Sequence, residues 1–422
     1  MNKFIYLCVI SLTVYAQQVF CSIEKTSYRG WDNCYKISND SVSVTIVPES
    51  GGRVMRFEKD GVNILYENSS LNGKILADYE NNWFEPDGGR FDYGPEAVTS
   101  YIHNITWLGV WTAEVINQYT IKIISPSDTS LKLLSERTFS LDSMSSHLTI
   151  TLSMKNISKT ETKYWFWNRT LVKVGGKLII PMNTADSQLP DKWVRCVWGN
   201  PNTYFSDATD PGIKIFNDSV FSLNPSLAKS QLYGTDSKKG WMAYSYAGKL
   251  FVKKYNYVRD QTYGVPLGLI SQTYTNGRFL EMEPVSPMVS LKPDSSYSYT
   301  ENWYLYKYPN ASTSSTYYTQ LENFINNGYQ NTTGVSINEP SISIELAPNP
   351  AINTFRIVSG AMENQKGSIT VFSMDGRRVY EKNNTRLINY QEVDLSNCKA
   401  GFYLVSVTMA HSRIHKILSL NK

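Results

Sequence analysis

Apolar and polar residues alternate along most of the chain, which is typical of β-strands that bury one face. Residues 42–47 read VSVTIV and residues 148–154 read LTITLSM, with an apolar side chain at every second position. Other runs, among them KYWFWNRTLV, WMAYSY and SYSYTENWYLY, are rich in aromatic or β-branched residues and end in turn residues. Helical periodicity is not evident before residue 316. The pattern therefore predicts an all-β, mostly antiparallel main domain.

The composition of the sequence changes after residue 308. A Ser/Thr-rich stretch follows and predicts a linker over residues 311–340, with a short helix near 317–326. Residues 341–422 then hold four or five short strands, and Asp375-Gly376 is a strong hairpin signal. We expect a large main domain over residues 23–310 and a small C-terminal β-sandwich over 341–422.

The N-terminus has the pattern of a secretory signal peptide. Lys3 precedes an apolar stretch over residues 4–14, and Val14-Tyr15-Ala16 fits a cleavage site, so residues 1–16 are predicted to be removed. The apolar stretch is too short for a usual membrane span, and we expect none in the mature chain. Lipidation at Cys21 is a weaker alternative, because Gln-Val-Phe precedes that cysteine.

Cleavage would leave four cysteines, which is too few for a disulfide scaffold in a chain of 422 residues. A Cys21–Cys34 disulfide is conceivable in an exported protein. The sequence has no C-x-x-C pair, and its acidic loop residues lack the D-x-D-x-D-G spacing of a calcium loop. We therefore predict no metal and no cofactor.

Charge and composition narrow the class of partner. The net charge is +4, but residues 341–422 hold 10 Lys/Arg against 6 Asp/Glu, so the remainder is close to neutral. A nucleic-acid partner is disfavoured, because phosphate binding needs a basic face. Aromatic residues make up 13% of the chain, with 29 Tyr and 10 Trp. Such rings can stack on sugars, which weakly favours carbohydrate as the partner.

Residues 277–291, GRFLEMEPVSPMVSL, place two glutamates in an otherwise apolar run. Alternation puts Glu281 and Glu283 on one face of a strand, about 7 Å apart, with Leu280 and Met282 on the other. Like charges this close favour a raised pKa for one carboxyl group. The pair either lines a site or is solvated at the sheet surface.

The C-terminal segments resemble a known secretion signal. ELAPNPAINTFRI, VFSMDGRRVYE, VDLSNCKAGFYLVSV and the closing KILSLNK are similar, in order, to the C-terminal sorting domain of the type IX secretion system of Bacteroidetes. The resemblance implies export through the periplasm to the medium or the outer cell surface, with the secretion machinery as a partner. An ordinary adhesive sandwich is the alternative.

The main domain resembles the galactose-mutarotase-like β-supersandwich superfamily over roughly residues 35–308. The residues that carry the resemblance are VPESGGRV, the stretch LTITLSMKNISKTETKYWFWNRTLVKVGGKLIIPMN, KGWMAYSYAGKLFVKKYNY and residues 277–306, GRFLEMEPVSPMVSLKPDSSYSYTENWYLY. It implies a large antiparallel β-supersandwich that binds carbohydrate on the concave face of a sheet.

The resemblance also implies residue roles. Epimerases of this superfamily use a glutamate near the C-terminal end as base and a histidine as acid, and Glu283 and Glu281 match the position of the base. The expected histidine pair is not evident, and His103 remains as the candidate acid. The loop over residues 81–96 offers aromatic faces, acceptors and a guanidinium. The candidate substrate-binding residues are Arg53, Trp83, Asp87, Arg90, Asp92, Asn168 and Arg169.

These observations predict a secreted or cell-surface protein that binds or acts on carbohydrate, and an aldose epimerase-like reaction if it is an enzyme. Two alternatives stay open. One is a non-catalytic structural or adhesive surface protein. The other is a polysaccharide lyase, for which His103, Arg90, Asn168 or a tyrosine could serve. Fold-level resemblance alone does not choose among them.

Overall fold

The structure is a computed structural model that describes residues 21–79, 87–96, 104–199, 202–327, 344–358, 366–373, 377–388, 390–409 and 412–421. The chain divides into two compact units, Met1–Ile325 and Asn326–Lys422. Nearly all described ladders are antiparallel, as the alternating pattern predicts.

A ten-stranded antiparallel sheet forms one layer of the first unit. Its strands, in spatial order and numbered by position in the chain, are β16 (Ile213–Phe216), β17 (Val220–Leu223), β13 (Lys177–Pro181), β19 (Trp241–Tyr246), β20 (Lys249–Tyr255), β24 (Ser296–Lys307), β10 (Leu148–Asn156), β9 (Leu133–Leu141), β8 (Thr120–Ile124) and β7 (Thr112–Asn117).

The second layer is built from three smaller sheets. The first holds β1 (Ser22–Tyr28), β2 (Trp31–Ser38), β3 (Ser43–Val47), β4 (Arg53–Lys59) and β5 (Val62–Asn63); the second holds β12 (Thr170–Lys173), β22 (Phe279–Pro284), β21 (Ser271–Thr275), β18 (Gln231–Thr235), β14 (Val194–Val197) and β15 (Thr203–Phe205); the third holds β23 (Val289–Leu291), β11 (Thr162–Trp167) and β6 (Asp92–Gly94).

Gly89 joins the first two of these sheets, because it forms bridges to both Val54 and Thr170. A side chain at Gly89 would meet the Trp303 ring at 2.9 Å, so the close approach requires glycine. The neighbouring Gly88 has φ +62°, which glycine adopts without strain. The two glycines therefore let the chain pass between β4 and β12, with Asp87 before the crossing and Arg90 after it.

One apolar core fills the space between the two layers. Alternate residues of β10 (Leu148, Ile150, Leu152 and Met154) meet Leu280 and Met282 of β22 in this core. Burial of each large apolar side chain stabilises the fold by about 1.5–3 kcal/mol. The packed antiparallel layers confirm the predicted all-β class and large sandwich.

The helices are few. The one α-helix among the described residues, α1 (Ser315–Asn327), covers the outer side of the ten-stranded sheet, where Tyr318, Leu321 and Ile325 share one helix face and pack on that sheet. The sequence predicted a helix over 317–326. Short turns lie at Ser69–Leu71, Leu76–Asp78 and Pro266–Gly268, and a single π turn at Asn104–Leu108. No described helix is long and apolar enough to cross a membrane.

The second unit contains two small sheets with a core of their own. One holds β25 (Glu345–Ala347), β26 (Thr354–Val358) and β29 (Tyr390–Asp394); the other, in spatial order, holds β28 (Arg378–Arg386), β27 (Lys366–Ser373), β30 (Gly401–Met409) and β31 (Ser412–Leu420). Phe355, Ile357, Val371 and Val405 are among the residues of their shared core. This confirms the predicted small C-terminal β domain. The predicted turn at 375–376 lies outside the described residues.

The four cysteines from Cys21 onward are free thiols, and three of them are buried. The conceivable Cys21–Cys34 disulfide is therefore not formed. Instead, the Cys34 thiol lies 3.6 Å from the carbonyl oxygen of Trp31.

Candidate functional site

The two glutamates of β22 lie on one face of the second layer. Leu280 and Met282 point into the core, so Glu281 and Glu283 point to the opposite side of the sheet. They are only 5% and 1% exposed. Carboxyl groups are rarely buried to this extent without partners, so their contacts define the site.

Glu281 is held by an arginine from the loop after Gly89. Arg90 Nη2 lies 3.2 Å from Glu281 Oε1, and both side chains are buried. The Arg90 guanidinium also lies over the Trp107 ring, 4.5 Å from its centroid. Burial lowers the pKa of Arg90, although the Glu281 carboxylate acts in the opposite direction. A buried ion pair therefore fixes Glu281 against an aromatic face.

Glu283 is held through one of its two carboxyl oxygens. Trp167 Nε1 donates to Glu283 Oε2 over 2.7 Å, whereas Oε1 has no donor among the described residues. Burial and the Glu281 charge raise the pKa of Glu283 to about 8, against the effects of Arg169 and Trp167. Glu283 is therefore protonated at neutral pH, beside the buried Glu281 carboxyl group.

Arg169 closes the cluster on the solvent side. Its Nη2 lies 3.4 Å from Asp92 Oδ2 and 3.1 Å from Glu96 Oε1, and its Nε has no partner among the described residues. Its guanidinium lies 4.0 Å from the Trp167 ring centroid. Burial alone would lower the pKa of Arg169. The carboxylates of Asp92, Glu96, Glu281 and Glu283 have the larger effect and raise it. The Glu96 side chain is 37% exposed, so the cluster meets solvent here.

Arg53 and Asp87 bond each other behind the cluster. Arg53 Nη1 lies 2.6 Å from Asp87 Oδ1, its Nε donates to Ser50 O over 2.9 Å, and Nη2 donates to Trp107 O. Both side chains are almost fully buried. This ion pair fixes the backbone beneath the Trp107 ring, so the two residues support the cluster from within the protein.

Asn168 belongs to a separate buried network between the two layers. Its Nδ2 donates to Glu301 Oε1 over 2.7 Å, and Lys253 Nζ lies 3.2 Å from Glu301 Oε2. Lys253 also donates to Thr170 Oγ1 over 2.9 Å and to Met282 O over 3.2 Å. Burial lowers the pKa of Lys253, while Glu301 acts to raise it. This network attaches the β22 backbone to the ten-stranded sheet.

The structure therefore brings together Glu281, Glu283, Arg90, Asp92 and Arg169 from the predicted site residues. Arg53, Asp87 and Asn168 lie in adjoining buried contacts, and His103 and Trp83 lie outside the described residues. Two tryptophans were not predicted as site residues. Trp167 has an alternating strand position that could have indicated it, whereas Trp107 lies in the π turn Asn104–Leu108, for which the sequence gives no signal.

The cluster combines a titratable carboxyl group with aromatic rings and guanidinium groups. Burial raises the pKa of Glu283 to about 8, so this group can give up or accept a proton near neutral pH. Trp107 and Trp167 supply aromatic rings, and the arginines supply fixed donors. No group of three or more His, Cys, Asp or Glu suited to a metal ion occurs in the part of the chain that the structure describes.

Comparison with known proteins identifies the C-terminal unit. Residues 345–420 match the family model described as "Secretion system C-terminal sorting domain". This match and the predicted type IX signal agree, and they support secretion or a cell-surface location. No curated protein matches the chain at significant sequence similarity.

Several solved structures show a partial likeness to the chain. A galactose mutarotase-like protein from Clostridium acetobutylicum has 14% identity and TM-score 0.45, with 69% of this chain and 99% of that chain covered. One from Lactobacillus casei has 10% identity and TM-score 0.46, with 65% and 100% covered. A TPR-domain containing protein from Parabacteroides distasonis has 12% identity and TM-score 0.46.

The alignment with the P. distasonis protein covers 66% of this chain and 48% of that chain, so it spans about half the length of that relative. At these identities and scores, the likenesses assign neither a ligand nor a reaction to this chain. The comparisons identify residues 345–420 as a secretion sorting domain.

Proposed function

We propose that this exported protein binds carbohydrate at the cluster of Glu281, Glu283, Arg90 and Arg169, and that the two glutamates act as a proton donor and acceptor on the bound sugar. One observation carries the proposal: two neighbouring buried carboxyl groups, one of which has a raised pKa, lie beside two guanidinium groups and two tryptophan rings. The motif resemblance of residues 277–306 to mutarotase-like proteins supports the same class of ligand.

The two glutamates have different roles in this proposal. Glu281 forms an ion pair with Arg90, so Glu281 is the base that takes the proton from the anomeric hydroxyl. Glu283 is protonated at neutral pH, so it gives its proton to the ring oxygen as the C1–O5 bond breaks. The ring opens to an aldehyde, and the reverse steps close it on either face. Glu283 thus supplies the acid that the sequence otherwise assigns to His103.

The contacts of the cluster favour this reaction class over a lyase. Arg53, Arg90 and Arg169 each have a carboxylate partner already. Asn168 is bonded to Glu301 rather than directed at a ligand. A uronate would therefore meet carboxylates in place of a neutralising cation, which costs binding energy for an anionic sugar.

A titration of the mature full-length chain with glucose, galactose, mannose, xylose and polygalacturonate tests the proposal. Ligand-observed NMR should detect binding of at least one neutral aldose and faster exchange between its anomeric protons. Glu281→Gln should abolish the faster exchange. Glu322→Gln, which changes a partly exposed carboxylate paired with Lys239, should not.

Two results would contradict the proposal. Binding without faster exchange would favour the adhesive alternative over the catalytic role. Cleavage of polygalacturonate, seen as new absorbance of unsaturated uronate, would favour the lyase.

A further inference from the structure

The sheet face that carries Glu281 and Glu283 continues sideways as a row of aromatic side chains. β21 pairs with β22 so that Gln272 lies opposite Glu283 and Thr275 opposite Leu280. The same register puts Tyr274 opposite Glu281. Residues opposite each other in an antiparallel pair share a face and lie about 5 Å apart. Tyr274 is therefore a direct neighbour of the proposed site.

Trp198 extends this aromatic row across the sheet, from β21 towards β14. Its ring centroid lies 5.9 Å from that of Tyr274, just beyond the end of β14. Trp198 is 52% exposed and Tyr274 is half-buried, so both rings are accessible. The buried Phe279 ring of β22 lies 6.2 Å from the Tyr274 ring and supports it. An exposed tryptophan beside a supported tyrosine forms an apolar platform continuous with the glutamate pair.

The platform and the glutamate cluster together are longer than one sugar ring. β14 is the third strand from β22 in the sheet order, so the backbone next to Trp198 lies about 14 Å from the β22 backbone at a strand spacing of roughly 4.8 Å. A monosaccharide held at Glu283 would leave Trp198 uncovered. A chain of several sugar units would cover both.

A polar side chain, that of Gln272, lies on the same sheet face as this aromatic row. Gln272 shares the face of Glu283, is 1% exposed, and its Oε1 has no partner among the described residues. Buried amide oxygens usually accept a hydrogen bond, and a sugar hydroxyl is a suitable donor. The face thus combines rings for sugar planes with an acceptor for a hydroxyl.

We propose that Tyr274 and Trp198 form an extended subsite for a neutral oligosaccharide, whose reducing-end unit occupies the glutamate cluster. This inference rests on the proposed carbohydrate function and specifies its substrate class: a glycan chain in place of a free monosaccharide. Trp198 acts by stacking on a sugar unit remote from the reacting atoms, so it determines chain-length preference.

The test is calorimetric titration of the full mature chain with gluco-, galacto- and manno-oligosaccharide series of one to four units. At least one series should bind more tightly as it lengthens. Trp198→Ala should weaken binding of the four-unit sugar about tenfold and leave binding of the one-unit sugar unchanged. The matched control is Phe205→Ala. Phe205 is also an exposed aromatic residue, but its ring contacts the guanidinium of Arg195, which lies opposite it in the pairing of β14 with β15. This variant should bind all lengths as the wild type does.

Two outcomes would overturn the inference, and they are distinct. If a monosaccharide binds, but affinity does not rise with length or Trp198→Ala has no effect, the extended subsite is wrong and the proposed function stands. If no sugar of any length binds, the proposed function fails and the subsite with it.

Discussion

Trp167 holds the Glu283 carboxyl group through one hydrogen bond of 2.7 Å from its indole nitrogen, and the other carboxyl oxygen has no partner among the described residues. An indole N–H can only donate, so it fixes the position of Oε2 whether or not the group carries a proton. The other oxygen, Oε1, is then the one that carries the exchangeable proton. Glu283 can lose or gain this proton while Trp167 keeps its hydrogen bond.

The first prediction concerns stability and pH. The pKa of Glu283 is about 8 in the folded protein against an ordinary value of 4.5, so the folded state holds a proton that the unfolded state releases. The contribution of this group to stability is therefore fully present below about pH 4.5 and is lost as pH rises to about 8. The free energy of unfolding should fall there by up to about 1.4 kcal/mol per pH unit relative to Glu283→Gln. Urea unfolding of both proteins from pH 5 to 9 measures this, and parallel curves would refute it.

The second prediction concerns the buried pair Lys253–Glu301. Both side chains are 0% exposed, so Lys253→Met leaves a carboxylate in the core without its cation and should cost about 3–5 kcal/mol of stability. Lys155→Met is the matched control, because the pair Lys155–Asp294 is largely exposed and should contribute less than about 1 kcal/mol. Chemical denaturation compares the two. The double variant Lys253→Met/Glu301→Gln should recover part of the loss, and equal costs for both single variants would contradict the account.

The third prediction concerns export. Residues 345–420 match a sorting domain, and they lie in a compact unit separate from the main unit. A chain that ends at Asn327 should fold but remain in the periplasm of a host with type IX secretion, whereas the full chain should reach the surface or the medium. Cell fractionation with an antibody to the main unit distinguishes the two locations. Equal export of both chains would show that the tail is dispensable.

The sequence could predict which strand face carries the candidate site, but not which distant residues contact the two glutamates. Alternation alone places Glu281 and Glu283 together, because strand side chains switch faces at every residue. Arg90 lies 191 positions before Glu281, and its approach depends on how Gly89 inserts between β4 and β12. Such long-range contacts leave no local pattern.

The same limit applies to the other predicted residues. The Asn81–Glu96 loop suggested acceptors for sugar hydroxyls, yet Asp87 is bonded to Arg53 and fully buried. The residue type shows that a side chain can bind a ligand. Only the packing shows whether another side chain of the protein already binds it. Trp198 illustrates the reverse: an aromatic residue that a β pattern would place in a core is 52% exposed.

The central claim is that Glu283 donates a proton to a bound sugar, and the exchange rate of anomeric protons tests it most directly. With the best-binding sugar from the titrations, Glu283→Gln should slow the catalysed exchange by about 10²- to 10⁴-fold. Glu114→Gln, which alters an exposed carboxylate paired with Lys122 at 3.1 Å, should leave it unchanged. The wild-type rate should also decline above pH 8, as Glu283 loses its proton. An exchange rate in Glu283→Gln equal to that of the wild type would contradict the account.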